Sequence, residues 1–294
     1  MTTASVLRSL LFVPGNQPRM LEKALGLAPD AYVPDLEDSV PLEEKENARG
    51  VVASWLPSLA GAGPLVIPRI NSLDTGLLED DLAAVVGAHI FGVSVGKIQS
   101  AQEVERIAAM LSDLERKAGL DVGRIRLVPW IETAMAIVDA YRLCASSPRV
   151  VGVAFGAEDF TRDMGIERTA NDAEILYPRS VIAVAARAAG VLALDTPFFG
   201  FRDPDGLRQD AATARSLGFR GKFAIHPAQI DIINETFSPS PAEIEQARRV
   251  VAAFEAAKQQ GRGSTSLDGQ VIDVPVVRRA QRLLEVAEQM GGAE

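Results

Sequence analysis

The stretch Val150-Val151-Gly152-Val153-Ala154-Phe155-Gly156-Ala157-Glu158-Asp159 decides how this chain is read. Val150–Phe155 is an apolar run without polar alternation, as expected of a strand buried on both faces. It ends in a glycine and two acids and passes into a helical pattern. Seven further runs are spaced along the sequence: Leu7–Val13, Ala31–Leu36, Leu65–Ile70, Ile90–Ile98, Ile125–Ile131, Val191–Leu194 and Gly221–Ile225. Amphipathic stretches separate them. In Ala101–Ala118, for example, Val104, Ile107, Ala108, Leu111 and Leu114 recur at helical spacing. Strands alternating with helices imply parallel βαβ units. Eight such units in 294 residues fit a closed (β/α)8 TIM barrel, which takes about 250 residues, better than a doubly wound open sheet.

The pattern changes after the eighth run. Pro239-Ser240-Pro241 opens a helix to about Gln260, with Ser240 as N-cap and Pro241 at the first helical position. The polar stretch Gly261–Ser266 reads as a hinge, followed by an apolar piece, Val271–Val277, and a last helix to about Met290. The expected organisation is a barrel over residues 1–238 and a C-terminal helical extension over 239–294.

Composition excludes several function classes. A net charge of −9 argues against a nucleic-acid binder, which needs a basic face. It leaves room for an anionic ligand held by a local arginine cluster. No apolar run approaches the ~20 residues of a membrane span. The N-terminus has no basic segment, apolar stretch and cleavage site in succession, so no signal peptide is expected. The single cysteine, Cys144, fits a cytoplasmic protein and lies in a helical pattern, where it reads as buried filler. With only His89 and His226, a multi-histidine metal site is impossible. Any metal must be held by oxygen, which points to Mg2+ or Mn2+.

In a barrel of this kind the residues following the strands converge on one rim. Here they are Pro14-Gly15-Asn16, Asp35-Leu36-Glu37-Asp38, Arg69 with Asn71, Lys97 with Gln99, Glu132-Thr133, Glu158-Asp159, Asp195-Thr196 and His226. Asp35, Glu37, Asp38, Glu132, Glu158 and Asp159 would crowd together unless a cation neutralised them. Ligation of a hard metal by Glu132 and Asp159, completed by water, is the simple solution. Helix capping, worth about 0.3–1 kcal/mol per acid, is the competing reading for one or two, such as Glu158 and Asp38. Arg69 is either a surface ion pair or a bidentate partner for a substrate carboxylate that also stabilises a developing oxyanion. Arg8 precedes the first strand and reads as a salt bridge at the barrel's other end. Pro14-Gly15-Asn16 is a turn with a weak phosphate-binding signal, and His226 before Pro227 suits a structural cap. No Gly-x-Ser-x-Gly element supports acyl-enzyme chemistry.

Several motifs occur in a fixed order: Arg8-Ser9-Leu10-Leu11-Phe12-Val13-Pro14-Gly15, Asp35-Leu36-Glu37-Asp38-Ser39-Val40-Pro41, Pro68-Arg69-Ile70-Asn71, Ile131-Glu132-Thr133-Ala134, Phe155-Gly156-Ala157-Glu158-Asp159, Asp195-Thr196-Pro197 and Ile225-His226-Pro227. This set resembles the citrate lyase β-subunit-like family of acyl-CoA lyases, which includes malyl-CoA and citramalyl-CoA lyases. The resemblance implies a TIM barrel, a Mg2+ site and a CoA thioester substrate. It carries the metal-ligand role onto Glu132 and Asp159 and the substrate-carboxylate and oxyanion role onto Arg69. Glu37 and Asp38 become acids that hold metal-bound water, and Arg8 a contact to CoA, with Pro14, Gly15 and Asn16 as further substrate-binding positions.

Asp268-Gly269-Gln270-Val271-Ile272-Asp273-x-Pro275 resembles the family's lid. The resemblance makes Asp273 the acid/base, acting on a neighbouring subunit's site, and so implies a homo-oligomer, a trimer or hexamer. The implied reaction is cleavage or Claisen-type formation of a 3-hydroxyacyl-CoA, with glyoxylate, pyruvate or oxaloacetate as the 2-oxo acid. The alternatives are the citryl-CoA lyase β-subunit of a larger complex and a CoA-independent 2-oxo acid aldolase. Thioester hydrolysis after condensation is also compatible.

Overall fold

A computed structural model describes residues 6–169 and 171–291. Every apolar run contains a strand: β1 (Ser9–Pro14), β2 (Ala31–Asp35), β3 (Leu65–Val66 and Arg69–Ile70), β4 (Gly92–Val95), β5 (Arg126–Ile131), β6 (Gly152–Phe155), β7 (Leu192–Asp195) and β8 (Gly221–Ala224). Neighbours in sequence pair in parallel, and β8 pairs with β1 through Ser9↔Lys222, Leu10↔Phe223 and Leu11↔Ala224, so the sheet closes. The interruption in β3 has a local cause. Pro68 has no N–H to give the ladder, yet its carbonyl still accepts from Ser94 N at 2.9 Å, and Ile67 N donates to Tyr32 O at 2.9 Å.

Strand alternation positions the site. Leu10, Ala31, Val33, Ile67, Val128, Trp130, Ala154, Leu194 and Phe223 pack into one buried cluster. Side chains two residues apart face the same way. Adding two to the last clustered residue at each of the strands except β4, which contributes none, gives Phe12, Asp35, Arg69, Glu132, Gly156, Thr196 and Ile225. All seven line one cavity. The apolar layers filling the barrel are thus continued, at the strands' C-terminal ends, by a polar layer of the same facing.

Asp195 has the opposite facing and points into the helical layer. There Asp195 and Asp210, from the helix Pro204–Leu217, meet Arg179, from the helix Ala173–Ala189, and Lys222 of β8. Arg179 reaches Asp195 at 3.0 Å and Asp210 at 2.7 Å, while Lys222 reaches each aspartate at 2.5 Å. Two anions and two cations cancel inside the protein, which is what makes their burial tolerable.

The chain divides into two compact units, Met1–Asn234 and Glu235–Glu294. The division falls inside the helix Ile230–Phe237, slightly before the boundary expected from sequence. In the second unit, Pro241–Gln259 begins with the expected cap: Ser240 accepts from Glu243 N, and Glu243 reaches back to Ser240 N. The polar stretch read as a hinge leads into an antiparallel hairpin, Thr265–Leu267 with Gln270–Ile272. Asp268 and Gly269, at φ 52° and 77°, make its two-residue turn, a pairing favoured where both central residues need positive φ. Ile272, Val277 and Ala280 pack on Ala247 and Val250. Cys144 is buried, and burial pushes its thiol pKa up to about 12, consistent with filler. Among the described residues no helix is long and apolar enough to cross a membrane.

Asp195→Ala leaves a buried excess of positive charge and should lower unfolding free energy by on the order of 3–5 kcal/mol. Urea denaturation measures this; a loss under 1 kcal/mol would contradict the reading of the network.

Candidate active site

The cavity at the strands' C-terminal ends has a volume of about 330 Å³. Phe12 and Trp130 form its apolar floor, packed on the buried Phe223 with ring centroids 5.1 Å apart for Phe12–Phe223 and 4.6 Å for Trp130–Phe223. Arg69 lies on that floor, its guanidinium carbon 4.5 Å from the Phe12 centroid. Above the floor its Nε and Nη2 donate to the two oxygens of Asp35, both at 2.7 Å. Its Nη1 lies 3.0 Å from Glu37 Oε2 and 3.2 Å from Asp38 Oδ2. Burial alone would lower the Arg69 pKa, but Asp35, Glu37 and Asp38 outweigh it and hold the guanidinium firmly charged. Burial likewise opposes ionisation of Asp35, and the Arg69 charge outweighs it, so Asp35 stays below its usual pKa. The planar fork clamped by a bidentate partner and stacked on a ring is a rigid, preorganised cation.

Glu132 follows β5 and is 4% exposed. Its Oε1 accepts the backbone N–H of Lys97, and Gly156 leaves room for Oε2, since a Cβ there would meet that oxygen. Burial, followed by repulsion from Asp159 and Glu37, pushes its pKa up to about 8. Asp159 lies in the first turn of the helix Ala157–Met164. Its charge is met at 2.6 Å by Arg162, itself largely solvent-exposed. Thr196 Oγ1 accepts from Ala157 N at 3.2 Å, fixing the start of that helix against β7.

The structure brings Glu132, Asp159, Arg69 and Asp38 to the cavity wall together with Asp35, and places Glu37 against Arg69 and Lys97. Glu158 also lines the cavity and pairs with Arg168 at 2.9 Å. The turn Pro14-Gly15-Asn16 follows Phe12. A Cβ at Gly15 would lie 2.5 Å from Asp35 O, so close packing on β2 explains this glycine without a phosphate. Asn16 Oδ1 is buried without a hydrogen-bond partner.

Arg8 is not brought to the cavity. It precedes β1, at the opposite end of the barrel, where Nε and Nη2 donate to Asp30 at 2.9 and 2.8 Å. That is the salt bridge its position suggested, at the end of the barrel away from the cavity. Asp273 belongs to the second unit, where Oδ1 accepts from Val276 N at 3.2 Å, capping the helix Val274–Gly291. His226 caps a turn through Nδ1 and Ala228 N and stacks on Phe201.

Lys97 is the residue whose importance the sequence did not reveal. Its Nζ reaches Glu37 at 2.8 Å and Asp38 at 3.2 Å. Six carboxylates on one rim signalled a shortage of positive charge, but not that the residue after β4 would help fill it.

These donors suit a magnesium ion. Arg69 and Lys97 form ion pairs with Asp35, Glu37 and Asp38, whereas Glu132 is buried with, among the described residues, no ion pair and a single hydrogen bond, from a backbone N–H. Glu132 and Asp159 would offer a hard cation two carboxylates, leaving other positions to water or substrate oxygens. Among the described residues no group of three or more His, Cys, Asp or Glu is arranged to hold a metal, so the protein's own contribution would be this pair.

The sequence pattern of the family described as HpcH/HpaI aldolase/citrate lyase matches residues 8–227. The chain is 39% identical over 280 residues to a protein named citrate lyase subunit beta from Leuconostoc mesenteroides, covering 95% of this chain and 93% of that one. It is 36% identical over 281 residues to one named (3S)-malyl-CoA thioesterase from Cereibacter sphaeroides, covering 96% and 94%. Among solved structures, CitE of Mycobacterium tuberculosis in complex with magnesium, acetoacetate and coenzyme A is 30% identical, with a TM-score of 0.78 over 98% of this chain and 99% of that one.

Glu132 gives a pH prediction. Its folded pKa, about 8, lies above its ordinary 4.5, so the folded state retains a proton that the unfolded state loses. In chelator-treated protein, stability should therefore fall between about pH 5 and 8 and level off above. Glu132→Gln should lack this loss and also lack the rise in melting temperature that Mg2+ gives the wild type. Parallel melting curves, or an undiminished Mg2+ shift in the variant, would refute the assignment.

Proposed function

The chain belongs to the HpcH/HpaI aldolase/citrate lyase family, and on that premise we propose that it is a magnesium-dependent carbon–carbon lyase of CoA thioesters. It cleaves a 3-hydroxyacyl-CoA, such as citramalyl-CoA or malyl-CoA, to acetyl-CoA and a 2-oxo acid, or forms it by Claisen-type condensation. The observation that carries this reading is the buried Glu132, close enough to Asp159 to feel its charge, in a cavity also lined by the clamped Arg69. The magnesium, acetoacetate and coenzyme A bound by the M. tuberculosis relative are chemically the set this cavity would need.

When bound, magnesium supplies a Lewis acid that polarises and orients the hydroxyl or keto oxygen at the reacting end. Glu132 and Asp159 would hold it. Arg69 binds the carboxylate of the 2-oxo acid portion and faces the negative charge that grows as the carbon–carbon bond breaks. Its fixed partners mean that little reorganisation accompanies the reaction. The apolar floor of Phe12 and Trp130 excludes water beneath the reacting carbons. As the hydroxyl proton passes to Asp38 at the rim, the bonding pair of the breaking carbon–carbon bond passes into the thioester enolate, and Asp273 of a neighbouring subunit, in its protonated form, delivers a proton to the enolate carbon. In condensation Asp273 removes that proton.

A second reading has one observation in its favour: several relatives are named as subunits of citrate lyase, so a citryl-CoA lyase β-subunit remains the alternative. Purified chain with Mg2+ and a panel of 3-hydroxyacyl-CoA thioesters separates the two, with glyoxylate, pyruvate or oxaloacetate as the detected product. Turnover by the chain alone supports the self-sufficient lyase; no turnover on any thioester contradicts it.

Asp273→Asn is a clean probe, because asparagine caps helices as well as aspartate. It should leave melting temperature and Mg2+ binding unchanged while lowering turnover by about 100-fold or more, the range of general acid–base catalysis. Full activity would remove Asp273 from the mechanism.

The chain also works as a homotrimer or hexamer in this reading. The mutually packed helices Ala134–Val138, Ala140–Ala145 and Ala173–Ala189 expose Met135, Val138, Tyr141, Leu176 and Tyr177. Contiguous apolar surface of this kind marks interaction sites. Light scattering should give a multiple of 31.4 kDa, reduced by Val138→Glu with Tyr177→Glu. A monomeric wild type would contradict it.

A further inference from the structure

Lys97 holds its backbone at φ 57°, in the left-handed region. The other described non-glycine residues with positive φ are Asp172 and Asp268, and aspartate tolerates that region because its short side chain bonds locally. Lysine gains nothing of the kind and bears a strain of about 1–2 kcal/mol that glycine would avoid. Strain retained at a site implies that the side chain is needed there.

The geometry shows what for. The Lys97 N–H holds Glu132 Oε1, and its Nζ bridges Glu37 Oε1 at 2.8 Å and Asp38 Oδ1 at 3.2 Å. The other oxygens of Glu37 and Asp38 face Arg69. The preceding residue is kept small for the same purpose: a Cβ on Gly96 would lie 2.8 Å from Glu37 Oε1 and 3.2 Å from Glu132 Oε1. Glu37 and Asp38 together would make a second pair of oxygen donors for a hard cation, beside the pair formed by Glu132 and Asp159.

We propose that Lys97 is a positioning residue that stands in for a second cation: its ammonium occupies the Glu37–Asp38 pair, so that the rim takes one divalent ion, at Glu132 and Asp159, and not two. The inference rests on the metal pair of the lyase reading and adds to it the device that sets ion number.

Lys97→Gly removes the ammonium, keeps the N–H and relieves the backbone. Mn2+ titration followed by electron paramagnetic resonance of the free ion counts sites without substrate. Wild type and Lys97→Arg should bind one ion per chain and Lys97→Gly two, with kcat of Lys97→Gly lowered roughly 10–100-fold, as for loss of groups that orient metal ligands, and restored in Lys97→Arg. If Lys97→Gly does not melt cooperatively, Lys97→Met is titrated with the same two outcomes. A single site in the variant overturns the inference, and so does a second site in Lys97→Arg. Wild type that binds no Mn2+ overturns the lyase reading itself, whereas a one-site wild type with a one-site variant overturns this inference alone.

Discussion

Five carboxylates, Asp35, Glu37, Asp38, Glu132 and Asp159, converge on one rim of the barrel, and the site depends on how their charge is met. Arg69 takes Asp35 by a bidentate clamp and shares Glu37 and Asp38 with Lys97. Glu132 is left buried beside Asp159 with a single backbone N–H. Desolvation makes such a group costly as an anion, which is why its pKa rises toward neutrality. A group tuned in this way accepts a divalent cation readily, because the cation supplies the charge that the fold withholds.

The barrel makes this arrangement repeatable in space. Every strand presents alternate residues inward, and the polar layer is the next step after the apolar layers that stabilise the core. A one-residue slip of any strand would turn its site residue into the helical layer. Asp195 illustrates the other facing: one residue before the cavity-lining Thr196, it is neutralised by Arg179 and Lys222 and serves packing.

Much of this was legible in the sequence. Apolar runs without alternation fixed eight parallel strands, and the acids after them pointed to the rim, because strand ends are set locally. The scarcity of histidine limited the metal chemistry before any geometry was known. Other features depend on contacts between distant segments. Lys97 lies sixty residues from Glu37, and no local pattern announces that its ammonium will reach back across a barrel. Arg8 is the opposite case. It stands beside the motif Phe12-Val13-Pro14-Gly15, but a strand separates it from the rim, and Asp30 neutralises it at the far end. The hairpin Thr265–Ile272 was obscured by polar composition, although Asp268-Gly269 carried the turn signal.

The most direct measurement of the central claim is anomalous diffraction at the manganese edge from crystals grown with Mn2+. The account predicts one peak per chain, about 2.0–2.4 Å from a carboxylate oxygen of Glu132 and one of Asp159, the spacing of hard cations from oxygen. A peak seated instead between Glu37 and Asp38, or none at the barrel rim, would contradict it.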